Sequence, residues 1–154
     1  LLRHSRSILR FGIGASLCAA KDAYLKFLRL NKPCIVNEDW HSQLLQACNA
    51  SPEDVAIIFS YSGQTQEMVT CMKELKNNGT PCIGITRFAP SQVAKLADYL
   101  LYIAANESLL RNGAMSSRLA QLNVVDILYT AFASAEFEKS IRQLARTHIK
   151  KPAP

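Results

Sequence analysis

The chain has 154 residues, about the modal length of one domain, and 49% hydrophobic with 19% charged residues excludes wholesale disorder. No apolar run approaches the roughly 18 residues of a membrane span, and the charged opening Leu1-Leu2-Arg3-His4-Ser5-Arg6 predicts no signal peptide, so a soluble, cytoplasmic chain is expected. The formal net charge of +6 is carried equally by residues 1–10 and 134–154, with a neutral body between them; solvated basic ends, rather than a concentrated nucleic-acid-reading face, are the expectation.

Ser7 to Phe11 reads as a first strand ending at Gly12, after which Leu17, Ala20, Tyr24, Phe27 and Leu28 recur at helical spacing. Asn31-Lys32-Pro33 stops that helix, because proline disfavours helical geometry at the residue before it. Cys34-Ile35-Val36 predicts a second strand and Ser42 to Cys48 a short helix. Val55 to Phe59 is continuously apolar, as in a strand buried on both faces of a parallel sheet. Met68, Met72 and Leu75 form the next helical stripe, closed by Asn78-Gly79-Thr80-Pro81. Cys82 to Ile85 is a fourth strand, Ser91 to Leu96 a short helix and Tyr99 to Ile103 a fifth strand. Such alternation predicts an α/β fold, a three-layer αβα sandwich on a five-stranded parallel sheet of order 2-1-3-4-5, forming one domain over 1–149 with a disordered tail at 150–154.

From Ser116 to Ile149 the pattern changes. Asn123, Asp126 and Thr130 make one narrow polar stripe on a helix that is apolar in nearly every other direction. The surplus apolar surface predicts a homodimer or higher homo-oligomer. The competing arrangement folds a later helix, bearing Phe137, Ile141 and Leu144, back over it.

Chemistry is expected in two loops that directly follow strands. Gly12-Ile13-Gly14-Ala15-Ser16 opens the first helix, and Ser60-Tyr61-Ser62-Gly63-Gln64-Thr65 opens the third. In an open parallel sheet, ligands bind outside the carboxyl ends of strands where neighbouring connections leave to opposite faces, and the order 2-1-3-4-5 puts these loops side by side there. The second loop suits an anion. Ser60, Ser62 and Thr65 supply hydroxyls, Gly63 permits close approach, and the amides of Gly63, Gln64 and Thr65 would lie at a helix N-terminus. A dinucleotide fingerprint fits less well: Glu38 lies 22 residues beyond Ser16, but the third-glycine position holds Leu17. The five cysteines form no C-x-x-C pair, so neither a metal nor a redox couple is indicated, and no cofactor is expected.

These two loops, with Ala20-Lys21-Asp22, Gln66-Glu67, Ala97-Asp98 and Met115-Ser116-Ser117-Arg118-Leu119-Ala120-Gln121, resemble the sugar isomerase (SIS) domain of RpiR-type bacterial transcriptional regulators over residues 7–135. The resemblance implies a flavodoxin-like domain that binds a phosphorylated sugar and dimerises, with phosphate contacts from Ser60, Ser62 and Thr65 and with Ser16 facing the sugar or phosphate. With the loop amides the expected phosphate set is Ser60, Ser62, Gly63, Gln64 and Thr65, and the expected sugar-facing set is Gly14, Ala15, Ser16, Tyr61, Glu107 and Ser116. The resemblance also implies an N-terminal helix-turn-helix domain in the parent protein, preceding Leu1, to which DNA contact would belong. Related domains isomerise or cleave phosphosugars, which needs a general base near the substrate. His41 and Glu107 are the candidates, His4 and His148 lying at the ends, and binding without turnover is the preferred expectation.

Overall fold

Strands apolar at consecutive positions can be hidden only in a sheet covered on both faces. The computed structural model, which describes residues 1–105, 107 and 113–149, has that arrangement. Its elements are β1 (Ile8–Gly12), α1 (Ala15–Arg29), β2 (Cys34–Val36), α2 (Trp40–Cys48), β3 (Val55–Phe59), α3 (Gln66–Asn77), β4 (Cys82–Arg87), α4 (Gln92–Leu96), β5 (Tyr99–Ile103), α5 (Met115–Ala135) and α6 (Phe137–Arg146). The five strands run parallel in the order β2-β1-β3-β4-β5. The tail expected to be disordered, 150–154, lies outside the described residues.

The pleat divides the core into two layers. Leu9 and Phe11 of β1 and Ala56 and Ile58 of β3 pack with Ala47 of α2 and Met68, Met72 and Leu75 of α3. Ile8 of β1 and Val55, Ile57 and Phe59 of β3 face the other way, onto Ala19, Ala20, Ala23 and Phe27 of α1 and Val125 of α5. Phe27 closes this second layer edge-on against Phe132, ring centroids 5.3 Å apart. α1 and α3 therefore leave β1 and β3 towards opposite faces, and the crossover point lies between those adjacent strands.

The later helix is present: the chain breaks at Glu136, whose φ of −132° and ψ of 51° end α5 and begin α6 without a glycine or proline. The basic start of the chain is not simply solvated. Arg6 pairs with Asp54 (Nη2 to Oδ2 2.7 Å), and Arg10 is 1% exposed inside β1.

Candidate functional site

At the end of β1 the chain turns through Gly14, whose φ of 59° is a left-handed conformation that an L side chain adopts only with strain. This turn lets α1 begin at Ala15, and Ser16 is brought to the rim of the sheet. At the end of β3, Gly63 (φ 63°) makes a second tight turn. Its N–H donates to the Ser60 carbonyl (3.1 Å), and its own carbonyl accepts from Val93 (3.1 Å). The loop is thus fastened both to itself and to the start of α4.

A cavity of about 480 Å³ opens between the two loops and the first turn of α5. Gly14, Ala15 and Ser16 line it from one side, Tyr61, Ser62 and Thr65 from another, and Gly113, Ala114 and Ser117 from the third. Three helix N-terminal ends (α1, α3 and α5) meet here, and such ends favour negative charge, which at α5 is already supplied in part by a carboxylate on the Ser117 N–H. Thr65 occupies the N-cap position of α3 without a side-chain capping bond, so its hydroxyl is not consumed by the helix it starts. No cationic or carboxylate side chain lines the cavity among the described residues; Tyr61 is its one titratable wall. The arrangement can hold an oxyanion by hydrogen bonds while alcohol groups meet neighbouring hydroxyls.

Six expected contacts, Gly14, Ala15, Ser16, Tyr61, Ser62 and Thr65, are brought together in this wall. Ser60 is not among them: it is buried, and its hydroxyl donates to Thr65 Oγ1 (3.3 Å), supporting the wall from behind. The sequence could not show this, because the residue that follows a strand can point towards the core as readily as away from it. Gly63 is packed beneath the loop, and the exposed Gln64 uses its N–H on Ser62 Oγ (3.2 Å).

Glu107 and Ser116 lie beside the cavity at the head of α5. Glu107 Oε1 accepts from Ser117 N–H (2.7 Å) and Ser116 Oγ (3.1 Å), capping a helix whose own N-cap residue, Ala114, offers no side-chain acceptor. Glu107 instead lines an adjacent cavity of about 540 Å³ with Arg87 and Phe88. Tyr61 forms the partition between the two cavities, its hydroxyl donating to the Ala105 carbonyl (2.9 Å). His41 is exposed in the first turn of α2 and lines neither cavity.

Two supporting residues were not anticipated. Ser117 is a wall residue, and buried Gln121 donates from Nε2 to Ser16 Oγ (3.1 Å), tying α5 to the first turn of α1. Both share a stripe with Val125, the buried apolar position of α5. Two polar residues in register with a buried one are the sequence signal that marks them.

Comparison with known proteins gives a family and a fold. Residues 1–131 match the model of the SIS domain. An HTH-type transcriptional regulator of Caldanaerobacter subterraneus is 40% identical over 146 residues, covering 95% of this chain and 52% of the relative. The chain thus spans about half the length of the curated relatives it matches. Among solved structures, Vibrio vulnificus NanR complexed with ManNAc-6P superimposes with a TM-score of 0.88 at 24% identity, covering 95% of this chain and 55% of that one. The sugar isomerase domain of an RpiR transcription factor from Sphaerobacter thermophilus gives 0.83 at 20% identity, covering 94% and 79%.

Proposed function

The chain belongs to the SIS domain family, and on that premise we propose that it is the phosphosugar-sensing domain of a bacterial transcriptional regulator of carbohydrate metabolism. The observation that carries this reading is the hydroxyl-lined cavity at the crossover between β1 and β3, walled by both glycine-serine loops and without a charged side chain among the described residues. The phosphate would sit against Ser62, Thr65 and the first amides of α3, and the sugar against Gly14–Ser16, Tyr61 and the head of α5. DNA contact would lie in the helix-turn-helix part of the parent, in keeping with relatives that are HTH-type regulators twice as long.

The proposed role is binding without turnover. Moving a proton between sugar carbons needs a base at the substrate. Tyr61 already donates its hydroxyl to the Ala105 carbonyl, and Glu107 accepts from the Ser117 N–H and the Ser116 hydroxyl. Product analysis after long incubation with each phosphosugar tests this part of the reading, and any isomerised or cleaved product overturns it.

A thermal-shift panel of hexose 6-phosphates, with and without N-acetyl groups, tests binding itself. At least one is expected to raise Tm. Ser62→Ala should weaken its affinity by roughly 10–100-fold, since a hydrogen bond to a charged group contributes about 1.5–3 kcal/mol. No stabilisation by any member, or an unchanged affinity in the variant, would remove the proposal.

The signal is proposed to leave through α5. Gln121 joins α5 to Ser16 in the cavity wall, so a ligand that engages the Ser16 hydroxyl would alter the tie between α5 and α1. α5 exposes Met115, Leu119 and Ile127, and α6 does not cover them, since its own Phe137 and Ile141 are exposed. We place a homodimer interface on this face, where a ligand preferring one of two dimer geometries would shift their populations. Leu119→Asp changes a residue that is 65% exposed in the protomer, so it should leave the fold intact and convert the dimer to monomer in sedimentation velocity. A wild-type protein that sediments as a monomer at all concentrations contradicts this placement.

A further inference from the structure

Arg10 carries a charge into the middle of β1, where it is 1% exposed. Its guanidinium stands over the Tyr24 ring (Cζ to centroid 5.6 Å) and contacts the Cys34 thiol. Nη2 reaches the Ile8 carbonyl only at 3.4 Å, and Nε and Nη1 find no hydrogen-bond partner among the described residues. A buried donor without an acceptor is uncommon, and a buried charge without a counter-ion more so. Burial pulls the guanidinium's pKa down from its ordinary value, yet arginine does not give up its proton in a protein. Two buried donors and their charge are therefore open to an anionic partner at this position.

The surroundings provide room for one. A cavity of about 460 Å³ lies between α1 and the edge strand β2, and Tyr24 and Cys34, the two side chains against the guanidinium, both belong to its wall. Leu25 and Ile35 make the wall largely apolar. Lys21 and Glu38 stand at its rim bonded to each other at 2.8 Å, so their charges cancel and one positive charge is left unneutralised. We propose that this cleft is a second ligand site, which takes a small monocarboxylate with a short apolar body and pairs its carboxylate with Arg10. The carboxylate reaches Nε and Nη1 once the Cys34 side chain turns to another rotamer, and the apolar body then rests against Leu25 and Val36, which share that face of the sheet with Arg10. This cleft shares no wall residue with the cavity between the glycine-serine loops, so the proposal does not depend on the phosphosugar reading.

The test uses the accessibility of Cys34 in the full chain. The rate of its alkylation by iodoacetamide is followed by mass spectrometry, with the exposed Cys48 as internal reference. Isobutyrate is expected to slow Cys34 several-fold, saturably, and to leave Cys48 unchanged. Isobutyramide (the same shape without the charge) and chloride at equal concentration should leave both cysteines unaffected, and Arg10→Met should abolish the protection. Equal protection by isobutyramide or chloride, protection that persists in Arg10→Met, or no protection by isobutyrate would overturn the proposal. The isobutyrate and isobutyramide arms on the wild-type protein decide the matter even where the variant fails to fold.

Discussion

Gly63→Ala is expected to lower stability by roughly 2–5 kcal/mol, and with it to abolish phosphosugar binding. A Cβ built at this position falls 2.2 Å from Ser91 Oγ and 2.9 Å from Thr86 Oγ1. Neither neighbour can step aside freely. Ser91 Oγ caps α4 by accepting from Ala94 N–H (3.2 Å), and Thr86 Oγ1 donates to the Tyr61 carbonyl (3.2 Å). The φ of 63° adds strain that no repacking relieves. For a chain of this size the loss corresponds to a fall in Tm of roughly 5–15 °C. Removing the nearest obstacle in Gly63→Ala/Ser91→Gly should restore part of the stability, because glycine at an N-cap costs only a few tenths of a kcal/mol. Urea denaturation of the three proteins checks this. A single variant within about 0.5 kcal/mol of wild type would show that the loop tolerates a side chain there.

The same position shows why the sheet could be read from the residues and the site only in part. Val55 to Phe59 is apolar on both faces, and Pro33 and Pro81 stop the preceding helices, so strand positions and a parallel order follow from local chemistry. The two loops then fall together at the crossover. What each hydroxyl does depends on contacts far away in the chain. Thr86 and Ser91 lie 23 and 28 residues beyond Gly63, so the glycine's packing role leaves no trace in its own loop.

Charge patterning failed for a related reason. Arg10 looks like one of three arginines near a basic end, and only its place in a strand paired on both sides, with Cys34–Val36 and with β3, shows that it is enclosed. Glu107 is similarly displaced from the part expected of it. A carboxylate after β5 suggests a group that reads sugar hydroxyls. The head of α5 lacks a capping side chain of its own, however, and Glu107 supplies one. The carboxylate is thereby coupled to the position of α5 rather than directed into the cavity. The helix it caps is also the one that Gln121 ties to Ser16, so the wall of the site and the exposed apolar face of α5 belong to one rigid element.

Gln43→Leu is the companion test on the β1 side, with an expected loss of roughly 2–5 kcal/mol. β2 ends at Val36, opposite Arg10, so Gly12 has no strand neighbour on that edge. The Gln43 amide of α2 stands in for the missing residues: Gly12 N–H donates to Oε1 (3.1 Å), and Nε2 donates to the Gly12 carbonyl (3.0 Å). Both groups are buried, and leucine would leave a backbone donor and acceptor unpaired, each costing about 1–3 kcal/mol. Gly12 immediately precedes the turn that presents Gly14, Ala15 and Ser16, so the damage should extend to the cavity. Hydrogen exchange at the Gly12 amide should accelerate in the variant, and affinity for a phosphosugar should fall although Gln43 does not line the cavity. Gln43→Glu at neutral pH buries an unpaired carboxylate against the Gly12 carbonyl, so it should be at least as destabilising as Gln43→Leu, and it should recover as the pH falls and the protonated carboxyl can donate to that carbonyl. If Gln43→Leu matched wild type in stability and Gly12 protection, the α2 side chain would not be what completes this edge of the sheet.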